Sequence, residues 1–310
     1  MSRRLPPARM RALALAFLWV GLAPGFGQSL GASGAFPLLH FGRALLVDAR
    51  RLELRLVGTF SPAGPSIAVD AQGRIWGRLD PNQLAALDPV SQQLAVRVKL
   101  PDKPAVILVT SAGEAYVTHG KPARDGFRVS VVDTRRDVLL RELRGLAGLP
   151  LELVEAGGAV YAAAAGVLRE DPLEWHLYRL EPAADRYREV LTSADAGYSW
   201  ALAAGGPHLY LGYLPVGEDP RPGRVEVRDA HDAQLLGSWE NTGGRLRGLF
   251  AVPETPAGAG RAGKPAQVLL FRDAAGGNTE LLVLDRLLQG SPRVLLLSGP
   301  FARALGVHGS

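Results

Sequence analysis

The chain of 310 residues contains no cysteine. Disulfides, thiolate metal sites, a cysteine nucleophile and a lipid-bearing N-terminal cysteine are therefore excluded. Asparagine is scarce: Asn82, Asn241 and Asn278 are the only ones, and none begins an N-x-[ST] acceptor. The histidines, His40, His119, His176, His208, His231 and His308, show no H-x-H or H-E-x-x-H spacing, so no zinc site is indicated. There is no G-x-S-x-G elbow and no block of like charges, and nothing past the N-terminus reads as a long amphipathic helix.

What is present begins at the N-terminus. MSRRLPPARMR is followed by the apolar run ALALAFLWVGLA (12–23) and then PGFGQSLGASGA. A basic head, a short apolar run and small residues are the three parts of a secretory signal peptide. The run is shorter than the roughly 17–25 residues a spanning helix needs. Cleavage is expected after Gly27, with Ala35 as the alternative, leaving 28–310 as a single domain without a transmembrane segment. The segment carries Arg3, Arg4, Arg9 and Arg11 and no acid. Taking those four from 35 basic residues leaves 31 against 30 acidic ones, so the formal +5 falls to +1. No nucleic-acid partner is indicated by that balance. The expected location is outside the cytoplasm: periplasmic, cell-surface or secreted.

An acid closes an apolar burst six times: LLVD at Asp48, AALD at Asp88, SVVD at Asp133, YRLE at Glu181, EVRD at Asp229 and LVLD at Asp285. The steps are 40, 45, 48, 48 and 56 residues. Each acid is followed by turn residues and a further apolar burst. Upstream stands an aromatic-bearing burst, at Trp76, Tyr116, Tyr161, Tyr210 and Phe271, preceded by a more continuous apolar run. Four short strands, a to d, at a period in the forties predict an all-β fold of radial blades, a β-propeller. The acids are expected to accept hydrogen bonds from the backbone of the turn they open. The aromatics are expected to pack between neighbouring blades.

The first unit has strands b, c and d only, while GPFARALG (299–306) echoes GPSIAVD (64–70), which opens the second. The C-terminal strand is therefore expected to complete the first blade and close the ring, removing free edges. The predicted blades are 36–60 with 299–306, then 64–100, 104–145, 149–192, 197–240 and 244–298. Tyr116-Val117-Thr118-His119, with RVSVVDT at 128–134, resembles the YVTN β-propeller repeat of exported bacterial and archaeal proteins. The signature there ends in Asn, where this chain has His119. That family commonly has seven blades, so the resemblance leaves seven open beside the six counted here. It implies an extracytoplasmic binding or interaction scaffold and carries over no catalytic residue.

The stretch GAGRAGK (258–264) fits a phosphate loop by spacing, but Pro265 stands where Ser or Thr should ligate Mg²⁺, and a strand follows instead of a helix. It reads as an insertion between strands. Long b–c loops hold Lys121, Arg124, Asp125, Arg169, Glu170, Asp171, Glu218, Asp219 and Arg221 on one face, where loops on a rigid scaffold concentrate binding residues. On the same face, the starts of strands a offer Lys103, Tyr198, Trp200, Asn241, Arg245, Arg247 and Arg303 as candidate ligand-binding residues. Guanidiniums beside aromatic rings suit an anionic or planar ligand. The expectation is a non-catalytic scaffold for an anionic small molecule or an envelope or secreted protein, with no cofactor and no metal. The alternative is a metal-dependent lactonase of the six-bladed class, for which Asn241, Asp70, Glu152 and Asp195 are the nominated oxygen ligands.

Overall fold

A computed structural model describes residues 35–40, 43–48, 53–56, 67–80, 82–88, 90–91, 93–119, 126–166, 174–193, 197–216, 221–252, 267–274 and 278–297. The chain is built from antiparallel strands that pair in sequence order, each sheet a meander. The first sheet has β1 (Ala35–His40), β2 (Arg43–Asp48) and β3 (Glu53–Leu56). The second has β4 (Ile67–Val69), β5 (Ile75–Asp80), β6 (Gln83–Leu87) and β7 (Leu94–Lys99). The third has β8 (Pro104–Val109), β9 (Glu114–His119), β10 (Phe127–Asp133) and β11 (Val138–Leu146). The fourth has β12 (Leu149–Ala156), β13 (Ala159–Ala165), β14 (Trp175–Glu181) and β15 (Arg186–Ser193). The fifth has β16 (Tyr198–Gly205), β17 (His208–Pro215), β18 (Arg224–Asp229) and β19 (Leu235–Glu240). The sixth has β20 (Leu246–Val252), β21 (Gln267–Ala274), β22 (Asn278–Asp285) and β23 (Arg293–Leu297). The first strands of the four-stranded sheets lie against one another in succession, β4, β8, β12, β16 and β20, and β1 also lies against β4. Among the described residues no helix is long and apolar enough to cross a membrane.

Strand periodicity explains where the core sits. Successive side chains point to opposite faces of a sheet, and a second strand with a sheet on either side must be apolar on both. β13 meets that demand with AVYAAAA, buried at every position. Tyr161, Ala163 and Ala165 face the fifth sheet, beside Trp200, Leu209 and Leu211. Val160, Ala162 and Ala164 face the third, beside Phe127, Val129 and Val131. The same division recurs between the second and third sheets, around Trp76 and Val117, and between the fifth and sixth, around Tyr210 and Leu270. The core is thus a series of layers, each shared by two sheets.

The recurrent aromatics serve these layers. Trp76, Tyr116, Tyr161 and Tyr210 each lie in the layer shared with the following sheet. Two of them also tie the sheets by their hydroxyls: Tyr161 donates to the Ala230 carbonyl, and Tyr210 to the Arg286 carbonyl at 3.0 Å. Both acceptors are in the turn between third and fourth strands of the next sheet. Burial pushes the Tyr210 phenol up to about 12, so it remains a donor through the physiological range.

The closing acids are turn formers. Asp133 accepts from the amides of Arg135 (2.8 Å) and Arg136 (3.0 Å), and those bonds hold its carboxyl below the usual range. Asp88 accepts from Val90 (2.7 Å), Asp229 from His231 (2.6 Å), and Asp285 from Leu287 (2.9 Å). Glu181 differs. A 3₁₀ turn, Pro182–Ala184, follows it, and its carboxylate takes the Arg186 Nε instead, at 2.5 Å. The side chain of Asp48 lies outside what the structure describes.

Candidate functional site

Two residues apart on β16, Tyr198 and Trp200 share the face turned to the fourth sheet. Pairing brings Tyr213 of β17 opposite Trp200, and Trp175 at the start of β14 lies across the layer. Tyr198 meets Tyr213 edge-on with centroids 6.0 Å apart, Tyr213 meets Trp200 at 5.8 Å, and Trp200 stacks on Trp175 at 5.8 Å. Four rings therefore run inward as one contiguous series, a geometry favoured by aromatic quadrupoles. Trp175 and Trp200 are buried, and their indole N–H groups have no hydrogen-bond partner.

Arginines cover the outer end of the series. Arg224, the first residue of β18, sets its guanidinium carbon 3.9 Å from the Tyr213 ring centroid and 6.0 Å from that of Tyr198. Arg221 lies 4.8 Å from the Tyr198 centroid. Guanidinium over an aromatic face is the geometry of a cation–π contact. The nearby carboxylate, Glu226, is already held by Arg228 through Nε at 3.0 Å and Nη2 at 2.7 Å. It also accepts from the Tyr213 hydroxyl at 3.2 Å. Burial, reinforced by that carboxylate, pushes the Tyr213 phenol up, which keeps it a donor. With Arg228 balancing Glu226, Arg224 is left with a longer 3.7 Å approach to the same carboxylate and a side chain 45% exposed. Arg221 and Arg224 thus meet the aromatic series at the starts of β16 and β18.

The residues nominated from sequence divide accordingly. Tyr198 and Trp200 are in the cluster. Arg245 reaches the same strand end from the sixth sheet, donating Nη2 to the Pro215 carbonyl at 2.9 Å. Asn241 is buried and joined at both amide ends: Nδ2 donates to the Gly244 carbonyl (2.7 Å) and Oδ1 accepts from Arg272 Nη1 (3.0 Å). It secures the turn before β20. Of the other oxygen ligands considered, Asp70 pairs with Arg74 at 2.7 Å, and Glu152 accepts from the Leu202 amide. Lys103 is exposed on the link before β8, with the fourth sheet between it and the cluster. The side chain of Arg247, in β20, is outside what the structure describes. Arg303, Asp195, the 258–264 stretch and the loop residues Lys121, Arg124, Asp125, Arg169, Glu170, Asp171, Glu218 and Asp219 lie outside the described residues. Among the described residues no group of three or more His, Asp or Glu side chains could hold a metal ion.

Trp175, Tyr213 and Arg224 escaped the sequence reading. They sit at the end of a second strand and the starts of third strands, next to the b–c loops, one of which carries Arg221, a residue the sequence does nominate and which lies over Tyr198. The available signal was local: Tyr213 follows Tyr210 by three, so the two point to opposite faces and cannot both serve the same layer.

No family model and no curated protein matches the chain. Solved structures do. The chain is similar to Kuenenia stuttgartiensis hydrazine synthase, with 15% identity and a TM-score of 0.56, over 85% of this chain and 77% of that one. It is also similar to a chain of the mitotic checkpoint complex, with 8% identity and a TM-score of 0.53, over 86% and 76% of the respective chains. At such identities the likeness is one of fold: an all-β, propeller-like arrangement of antiparallel sheets.

Proposed function

We propose that the protein is an extracytoplasmic, non-catalytic propeller scaffold that binds an anionic small molecule or an acidic group of a partner protein. The observation that supports this is Arg224, its guanidinium over the face of Tyr213 and its side chain 45% exposed, beside a Glu226 already engaged by Arg228. A guanidinium flanked by a ring offers its N–H edge to a carboxylate or phosphate in a planar, two-pronged way that an ammonium cannot. The tripartite N-terminus supports export. The Tyr116–His119 tetrapeptide supports kinship with YVTN-type repeats, and the echo of GPSIAVD (64–70) in GPFARALG (299–306) supports six blades closed by residues 299–306.

Thermal-shift and calorimetric titrations with citrate, benzoate and inorganic phosphate test the reading. At least one of these should stabilise the protein, and Arg221→Ala with Arg224→Ala should weaken it at least tenfold while the unliganded melting temperature stays nearly constant. If none of the three anions binds, the anion site is wrong. Lactone hydrolysis that requires a divalent cation and disappears with Asn241→Ala would replace the scaffold reading with the hydrolase one.

A further inference from the structure

His119 ends β9 in a place nearly closed to water, 2% exposed, and makes two hydrogen bonds. Its Nδ1 is 3.0 Å from the Asp102 carbonyl, in the link that carries the chain from β7 to β8. Its Nε2 is 2.7 Å from the hydroxyl of Ser130, a fully buried residue of β10. A carbonyl oxygen can only accept, so Nδ1 must carry the proton. In the neutral ring Nε2 then accepts from the Ser130 hydroxyl. One tautomer thus joins the link, the second strand and the third strand of the third sheet. We propose that His119 is a proton-operated latch that holds the link between the second and third sheets and releases it on acidification.

Protonation turns both ring nitrogens into donors. Ser130 must then rotate to accept from Nε2, and its own O–H loses the acceptor it had. The Nδ1 bond to the Asp102 carbonyl and the charges of Asp102, on the link, and Glu142, on β11, favour the added proton. The Arg128 charge on β10 opposes it, and the burial of the ring outweighs the support. Glu142 is already paired with Arg144, at 2.8 Å. Pro104, the register partner of His119, accepts from Arg78 Nη1 at 3.4 Å, which brings a further cation to the same strand end. Burial, the largest influence, holds the imidazole below its usual range. The folded ring therefore takes up a proton less readily than the same ring in an opened link. The latch is fully effective above the ordinary value of about 6.5, and weakens as the pH falls below it. Lys103 lies on the segment so released.

Amide hydrogen exchange of residues 100–106 at pH 7.5 and 5.0, corrected for intrinsic exchange, reads the latch directly. The lower pH stays above the ordinary range of carboxylates, at roughly 4. In the unaltered protein, protection of this segment should fall at least tenfold on acidification. In His119→Asn it should not change with pH. Ser130→Ala, which keeps the imidazole but removes the donor to Nε2, should move the midpoint to higher pH and serves if the asparagine variant does not fold. Equal protection at both pH values in the unaltered protein, or the same acid response in His119→Asn, overturns the proposal.

Discussion

Asp70 shows how much one side chain can organise. Its carboxylate accepts from the amides of Gln72 (3.0 Å) and Arg74 (2.9 Å), from Arg74 Nε (2.7 Å) and from the Trp76 indole (2.8 Å). The same Arg74 then reaches the next sheet, pairing with Asp137 at 3.2 Å and donating to the Thr134 carbonyl. Removing the acid would strand a buried indole N–H and leave Arg74 without its closest counter-charge. Breaking a buried pair from one side costs about 3–5 kcal/mol. Asp70→Ala should lower the unfolding free energy in urea by about that amount, and a loss below about 1 kcal/mol would show that water replaces the carboxylate. Nothing in the stretch AVDAQGRIW announces this network: the Asp–x–x–x–Arg spacing is visible, but its destination, a turn over sixty residues away, belongs to tertiary structure. Asp133 was legible for the opposite reason, since its partners are the next residues along the chain. The rings of Trp175 and Tyr213 were not, because their roles depend on which face of which strand meets which neighbour.

At the scale of elements, the turns carry the strictest requirements. Gly148, in the link from β11 to β12, has φ of +84°, and a Cβ there would lie 2.4 Å from the Ala165 carbonyl oxygen. Positive φ and a backbone obstruction act together, and neither can be relieved by a rotamer change. Gly148→Ala should therefore destabilise by more than the ~1 kcal/mol at which glycine and alanine ordinarily differ. Gly158 offers the control: its φ is +75°, but nothing stands within 4 Å of the Cβ position, so alanine there meets backbone strain alone. Melting curves of the two variants should differ clearly, and equal losses would mean that the β11–β12 link shifts to make room. Strand order and the corner acids could be read from the chain because a four-strand meander repeats its local chemistry. The 3₁₀ turn after Glu181 breaks that regularity through Pro182, which was read as an ordinary turn residue.

For the whole molecule, the feature that counts is the edge of the first sheet. Among the described residues it has three strands where the others have four, and β1 pairs with β2 alone. If 299–306 supply the missing strand, deletion of 299–310 should expose an unpaired edge, lower the melting temperature and promote association through that edge. A truncated protein that melts like the full chain would refute closure by this segment.

The layered core has a further bearing on how the fold can be taken apart. Each of the four layers described between the second and sixth sheets draws side chains from both of its neighbours. No sheet owns a core of its own, so an excised sheet would present two wet apolar faces and could not stand alone. A pair of neighbours, as in residues 149–240, encloses one complete layer but still leaves an apolar face open on either side. Damage is confined in the same way: a cavity cut at Leu211 weakens the seam between the fourth and fifth sheets directly, and others only through propagation. Such a chain can gain or lose material in whole-sheet increments, provided each addition brings two faces that fit.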